Sequence, residues 1–346
     1  MSEKKKQVYR LAIVGLGRMG STIDDEMAPG TPPFSIAAAA KASERLQVVA
    51  GADPDVAKRT AFQTRWGVSA LYEDYIKMMR QEAPDLIAIC TVGPLHAEMT
   101  IAAAEAGVPM IYCEKAMACS MREADAVLEA VQSHGVAFNT GVLRRFDRPY
   151  HQVRRLIADG AIGEVRAVVH YAATNLLHGH IHSLDTISFL LGDPKIVSVW
   201  GELLPRDLQI AYNRLDKDPN AIFHVLFENG VEGLTTPAGT WEFEAIGTEG
   251  SVRVLNNGAR MRLRQAIASK KLGWGEVPVT AEPRTSATLF CLEDLVAAYE
   301  EGRPTLGHVA LAHHLTEACF AVAESHLWRQ RVMLPVKNRD LYISHR

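Results

Sequence analysis

The sequence predicts an α/β domain with a parallel sheet, followed by an α+β domain with an open, mostly antiparallel sheet. Three observations predict it. The first part alternates short, continuously apolar runs with helical patterns, the rhythm of βαβ units whose sheet is covered on both faces. A glycine-rich turn, Gly15-Leu16-Gly17-Arg18-Met19-Gly20, directly follows the first of those runs. After about residue 145 the runs lengthen, and close turns such as Glu228-Asn229-Gly230 and Asn256-Asn257-Gly258 read as hairpins.

In order, the first part gives strands at 8–14, 46–52, 86–91, 110–113 and 137–141, with helices at 57–66, 72–80, 97–106 and 122–133. Pro84, Gly107, Pro109 and Gly135 punctuate the units. The second part opens with a helix at 147–158. Strands follow at 165–172, 196–203, 221–227, 231–236, 242–246 and 250–255, interrupted by a helix at 178–191. Helices at 289–301 and 309–329 end it. The expected domains are 1–143 and 144–346.

The 346 residues, 48% apolar and 22% charged, suit two domains with sizeable cores. A net charge of −3 points neither to nucleic acid nor to an anionic membrane. The local pair Lys270-Lys271 reads as a solvated face. The apolar run 11–14 is too short for a signal-peptide core, and no stretch approaches a membrane span. Five cysteines (Cys90, Cys113, Cys119, Cys291, Cys319), widely spaced and never Cys-x-x-Cys, read as reduced thiols of a cytoplasmic protein.

The glycine turn has the context that gives such a motif meaning: a strand before it and a helical pattern after. Gly15 permits the tight turn, Gly17 lets backbone approach a pyrophosphate, and Gly20 allows close packing of helix on strand. This is the phosphate-binding turn of a Rossmann domain, and a turn without ligand is the weaker reading. Asp53, ending the second strand, can accept both hydroxyls of an adenosine ribose and would repel a 2′-phosphate. NAD is therefore expected over NADP, unless Arg59 reaches the site. The gap from Gly20 to Asp53 exceeds the usual ~20 residues. The excess falls on 28–34, with a short first helix expected to break at Pro29.

Several motifs then follow in order: Thr91 with Leu95-His96-Ala97-Glu98, Cys113-Glu114-Lys115-Ala116, Arg145-Phe146, Gly160-Ala-Ile-Gly163-Glu164, His182 with Asp185, Gly247-Thr-Glu-Gly250, and Glu324-Ser325. Together they resemble the glucose–fructose oxidoreductase/inositol dehydrogenase (Gfo/Idh/MocA) family over nearly the whole chain. The resemblance implies NAD(P)-dependent chemistry at a hydroxyl of a sugar or cyclitol, and a homodimer or homotetramer through the second sheet. It implies that Lys115 reaches substrate and nicotinamide, and that His182 and Asp185 lie on the catalytic helix. Thr91, His96 and Glu114 would join Gly15, Gly17, Arg18, Met19, Gly20, Asp53 and Lys115 at the cofactor. Two departures stand out. Ala116 replaces the family's proline, which leaves the turn looser or without cis geometry. His178 stands where an aspartate is usual, and His180 where a glycine is.

The chemistry asks for a base near a hydroxyl. His182 has the right intrinsic range, and Lys115 can polarise the developing carbonyl as a nearby cation. His178, one helical turn earlier, can relay a proton, whereas His180 reads as structural. A metal site is the weaker reading of these histidines, because only His178 and His182 have helical ligand spacing; none is expected. Arg145, Asn175 and Asp185 are the expected substrate residues, with Arg144, Arg148 and Tyr150 behind them. Trp241 and Trp274 could stack on a sugar but read better as core. The leading function is therefore an NAD(P)-dependent oxidoreductase acting on a CH–OH group. Alternatives are a glycoside-cleaving or eliminating enzyme with transient oxidation and no net redox, and a non-catalytic NAD-binding sensor.

Overall fold

The structure, a computed structural model, describes residues 7–267 and 273–345. Lys270 and Lys271 lie outside the described residues. The chain forms two units.

The first unit holds a six-stranded parallel sheet: β1 Tyr9–Val14, β2 Leu46–Ala52, β3 Ala70–Tyr72, β4 Leu86–Ile89, β5 Met110–Cys113 and β6 Ala137–Thr140. Its order, β3-β2-β1-β4-β5-β6, is that of a dinucleotide-binding Rossmann sheet, and order reverses between β1 and β4. The central strands β1, β4 and β5 are buried almost throughout, which is why they read as unbroken apolar runs. Helices α1 Ile36–Ala42, α2 Val56–Trp66, α3 Tyr75–Glu82, α4 His96–Glu105 and α5 Met121–Ser133 connect them. Side chains cap several: Ser35, Asp55, Asp74 and Ser120 each accept a backbone N–H of the first turn.

The first helix differs from expectation. Residues Arg18–Thr22 form a wide π turn and Ile23–Glu26 a 3₁₀ turn, after which the chain is irregular until Ser35 caps α1. Helical winding thus stops before Pro29, and the excess residues form a loop ahead of a separate helix. Residues 286–313 also pack in this unit, although the sequence reading assigned them to the second domain. Their helix α8, Ala287–Glu301, lies against β5, β6 and α1. The Asn139 side chain donates to the Cys291 carbonyl and accepts from Gly307 N–H, tying β6 to this distant segment.

The second unit contains α6 Arg148–Ala158, β7 Val165–Tyr171, α7 Ile181–Leu191, β8 Ile196–Leu204, β9 Arg214–Leu215, β10 Asn220–Phe227, β11 Glu232–Thr236, β12 Glu242–Gly247, β13 Gly250–Leu255, β14 Arg260–Ala266 and β15 Trp274–Val277. Helix α9, Val309–Trp328, begins in the first unit and continues here from His314; β16 Val332–Met333 and β17 Tyr342–Ile343 follow. Nine strands form one sheet, β15-β14-β13-β12-β7-β11-β10-β8-β16, in which only β7 and β11 pair in parallel. Alternation along β10 and β12 buries one face, with Phe223, Val225, Phe227, Phe243 and Ala245 inside. Helices α6 and α7 pack on that buried face. No described helix is long and apolar enough to cross a membrane.

Candidate functional site

In the first unit β1 delivers the chain into the glycine turn. Gly15 has φ +87°, and a Cβ there would lie 2.6 Å from the Cys90 carbonyl oxygen. At Gly20 a Cβ would lie 2.1 Å from the Gly15 carbonyl oxygen. Both places are filled by backbone, which cannot yield. At Gly17 nothing lies within 4 Å, so the turn is open there on the side from which an anion's backbone contacts come. Asp53, 5% exposed, accepts N–H groups from Leu16 (3.0 Å) and Asp55 (3.0 Å), one on each carboxylate oxygen. Each oxygen keeps further acceptor capacity. Lys58 lies 3.7 Å from the carboxylate, and Arg59 donates to the Asp53 carbonyl at 2.7 Å.

Three carboxylates follow this turn, a poor neighbour for phosphate unless compensated. Asp24 accepts the N–H groups of Phe34 and Ser35, Asp25 pairs with Arg65, and Glu26 pairs with Arg18. Arg18, expected at the cofactor, is thus held by Glu26 on the surface, while Met19 is half-buried. The loop ahead of α1 is fastened by Ser286 and Thr288, whose hydroxyls donate to the carbonyls of Pro33 and Phe34.

The carboxyl ends of β4 and β5 carry the remaining expected cofactor residues. His96 is buried, with Nδ1 2.8 Å from the Ala116 carbonyl and Nε2 3.1 Å from that of Thr91. Burial lowers its pKa despite those carbonyls, so the ring is neutral and its one N–H donates to one of them. His96 therefore braces two loops. Thr91 is half-buried, its hydroxyl 3.6 Å from Met99 Sδ. The Lys115–Ala116 peptide is cis, which corrects the expectation that losing proline removes that geometry. Glu114, also buried, accepts the Tyr112 hydroxyl at 2.5 Å and the Lys115 N–H at 3.3 Å. Burial, then the Glu114 charge, pushes the Tyr112 phenol well above its usual range and keeps it a donor.

Sequence reasoning missed Gly141. A Cβ there would lie 2.8 and 2.9 Å from the Glu114 carboxylate oxygens and 2.8 Å from the Tyr112 hydroxyl. Gly141→Ala is expected to displace Glu114 and cost about 1–3 kcal/mol, read as a lower denaturant midpoint; an unchanged midpoint would show that the space is adaptable.

In the second unit α7 starts at Ile181, three residues later than expected, after a π turn over Leu176–His180. Such wide turns occur mostly as single insertions and often at functional sites. Asp218 caps this turn from a distant loop: its carboxylate accepts the N–H groups of Leu177 (2.9 Å) and His178 (2.7 Å). Nothing in the sequence marked it. Asn175, expected to face substrate, instead donates its amide to the Asp218 carbonyl. Gly179 has room for no side chain, since a Cβ would sit 1.8 Å from Thr174 Oγ1. His178 is exposed and His182 half-buried, its ring 6.4 Å from that of Trp241.

His180 is structural, as its surroundings require. Its Nε2–H donates to the Ala221 carbonyl (2.8 Å), and Nδ1 accepts from Ser183 (3.2 Å). His170 continues the chain between Ser183 and Thr235. Burial, against the pull of the Ala221 carbonyl, pushes His180 down to about 4, below the ~6.5 of an unfolded chain. As pH falls the unfolded state takes the proton first, so the stability present above pH ~6.5 is lost toward His180's folded value. Between pH ~6.5 and ~4.5 the wild type should lose about 2 kcal/mol more stability than His180→Gln, measured by urea unfolding at both pH values. Equal losses would contradict a buried neutral His180.

Two expected substrate residues are corrected. Arg145 and Asp185 are each 1% exposed and paired: Arg145 Nε and Nη2 donate to Asp185 Oδ1 (2.9 and 2.8 Å), and Nη1 and Nη2 donate to Asp193 (3.0 and 2.9 Å). One guanidinium thus serves two carboxylates. Burial outweighs it at Asp185, whose carboxyl is pushed up to about 6. No hydrogen bond joins Asp185 to His182. Arg148 is exposed; Tyr150 is buried, its hydroxyl directed at Asn257. Neither tryptophan is a core residue. Trp241 and Trp274 are half-exposed, each beneath an arginine, Arg144 at 4.4 Å and Arg264 at 5.6 Å.

Residues 9–142 match the family model described as an oxidoreductase family with an NAD-binding Rossmann fold. Among curated proteins, the chain is 28% identical over 264 residues to scyllo-inositol 2-dehydrogenase (NAD(+)) of Bacillus subtilis, covering 70% of this chain and 72% of that protein. It is 29% identical over 210 residues to 2,7-anhydro-N-acetylneuraminate hydratase of Mediterraneibacter gnavus, covering 55% of this chain and 51% of that protein. Among solved structures, aldose-aldose oxidoreductase from Caulobacter crescentus superposes with a TM-score of 0.78 at 19% identity, over 95% of this chain and 100% of that one, a likeness of fold.

Proposed function

We propose, from the premise that this chain belongs to the Gfo/Idh/MocA oxidoreductase family, that it is an NAD-dependent enzyme oxidising or reducing a CH–OH group of a sugar, cyclitol or related polyol. The observation that carries this reading is the glycine turn, closed by backbone at Gly15 and Gly20 and open at Gly17, with the Asp53 carboxylate at the end of the neighbouring strand. The backbone from Gly15 to Gly20 would hold the pyrophosphate and Asp53 the adenosine ribose. Lys58 and Arg59 beside Asp53 soften the discrimination against NADP, so NAD is favoured by a modest factor. When bound, NAD supplies the hydride acceptor.

The protein's own residues do the rest. Lys115 presents its ammonium to the reacting oxygen and favours its deprotonation. Glu114, Tyr112 and His96 fix the turn that carries it. Within the second unit His182 is the candidate base, and exposed His178 its route for a proton to water. The test is a screen for dinucleotide reduction over sugars, cyclitols, sugar acids and glycosides. Turnover of a free hydroxyl compound with accumulating reduced dinucleotide supports the reading. Silence across the panel with NAD bound contradicts it. The similarity to a hydratase favours a second reading, transient oxidation without net redox. That reading predicts product without accumulating reduced cofactor, and solvent deuterium entering beside the oxidised carbon.

Two further proposals concern context. Trp200, Ile222, Leu226, Leu234, Val169 and Ile246 lie on the sheet face opposite the core, interspersed with Glu202, His224, Glu232 and Glu244. This supports a homodimer or homotetramer through that face, which light scattering reads directly. The five cysteines carry thiols rather than disulfides, which supports a reducing, cytoplasmic compartment.

A further inference from the structure

We propose that Arg144 forms a carboxylate-binding subsite in the second unit, and that the substrate is an acidic sugar or cyclitol derivative; this rests on the function proposed above and narrows it. Arg144 and Arg145 are adjacent in sequence and opposite in circumstance. Arg145 is buried between two carboxylates, whereas Arg144 is half-buried and has no carboxylate ion pair among the described residues. The charge balance around it explains why. Asp147 is taken by Arg284 at 2.7 Å, and Asp185 and Asp193 are taken by Arg145 and Arg154. Arg144 acts on Asp147 and Asp185 through its field but forms an ion pair with neither.

That guanidinium is also held in place. Its Nε donates to Asn257 Oδ1 at 2.9 Å, the Tyr150 hydroxyl lies beside it, and its plane rests 4.4 Å from the Trp241 ring centre. Asn257 and Trp241 are themselves joined, Asn257 N–H donating to the Trp241 carbonyl at 3.0 Å. A stacked, tethered arginine has lost little further freedom to give when it binds, and its outer N–H groups match a carboxylate. The Trp241 indole also touches the candidate base: the His182 ring lies 6.4 Å from it, edge to face. Arg144 and His182 thus border the same Trp241 ring, so a carboxylate on the first and a hydroxyl near the second belong to one small molecule. The positive field is felt by the neighbouring histidine: burial, then His180 and Arg144, pushes His170 down to about 2. One guanidinium charge suits a carboxylate; a phosphate dianion would call for a second cation.

The experiment is calorimetric titration of the full chain with a panel of uronates and aldonates, their neutral parent sugars and cyclitols, and sugar phosphates, with and without NAD. Wild type is compared with Arg144→Gln and Arg144→Lys. The expected result is at least one acid bound about tenfold or more tighter than its neutral parent. Arg144→Gln should erase that preference, and Arg144→Lys should retain part of it. Thermal unfolding of each variant separates lost binding from lost structure, and if Arg144→Gln does not fold, the acid preference of the wild type and its partial reduction in Arg144→Lys decide. No acid preferred over its parent, a phosphate preferred over every carboxylate, or equal losses for acid and neutral ligands overturns the proposal. Acid binding without any NAD binding leaves this subsite standing and contradicts the oxidoreductase reading instead.

Discussion

Replacing Lys115 by alanine is expected to lower turnover by about a hundred- to ten-thousand-fold, the range for removing a positioned proton-transfer or charge-stabilising group. NAD affinity should change little. The turn that presents Lys115 is held through main-chain and neighbouring groups, which the substitution leaves in place: Glu114 accepts the Lys115 N–H, Tyr112 fixes Glu114, and His96 contacts the Ala116 carbonyl. The side chain beyond Cβ is removed and the main chain of the turn stays in place. The loss should therefore fall on kcat rather than on thermal stability. Steady-state kinetics with any substrate from the screen, beside a thermal unfolding curve, reads both. Near-normal kcat in Lys115→Ala would remove Lys115 from the chemistry.

Gly20→Ala is expected to have the second large effect. Its Cβ would lie 2.1 Å from the Gly15 carbonyl oxygen and 3.2 Å from Ile13 Cγ2, so the turn itself must deform. Destabilisation of about 3 kcal/mol and loss of dinucleotide binding should appear together. Gly17→Ala is the informative contrast. Nothing lies within 4 Å of a Cβ there, so the free protein should keep its stability while NAD affinity falls, because the methyl stands where backbone must approach the pyrophosphate. The pair separates a glycine required by the fold from one required by the ligand. Unchanged NAD affinity in Gly17→Ala would place the phosphates elsewhere.

The strands that build the parallel sheet were legible because burial on both faces makes them apolar throughout. What escaped were elements too short or too featureless for periodicity: three-residue β3, alanine-rich α1, and the edge hairpin of β14 and β15, whose outward charges hide the strand pattern. The glycine turn and Asp53 could be singled out because local spacing and strand context mark them, whereas Lys115 was named only through the family resemblance. Gly141 and Asp218 carried no such mark, since each acts on a partner far away in sequence, Glu114 in one case and the N–H groups of the 176–180 turn in the other. The arginine pair shows the same limit. Arg144 and Arg145 precede α6, where no period says which side chain turns inward. Only the positions of Asp185, Asp193, Asn257 and Trp241 decide that Arg145 is buried and Arg144 presented.

The central claim is that the glycine turn and Asp53 make a nicotinamide dinucleotide site. Calorimetric titration of the purified chain with NAD and with NADP tests it most directly. The account predicts one equivalent of NAD bound per chain, NADP bound more weakly, and NAD binding reduced in Gly17→Ala. Binding of neither dinucleotide to a folded chain would contradict it.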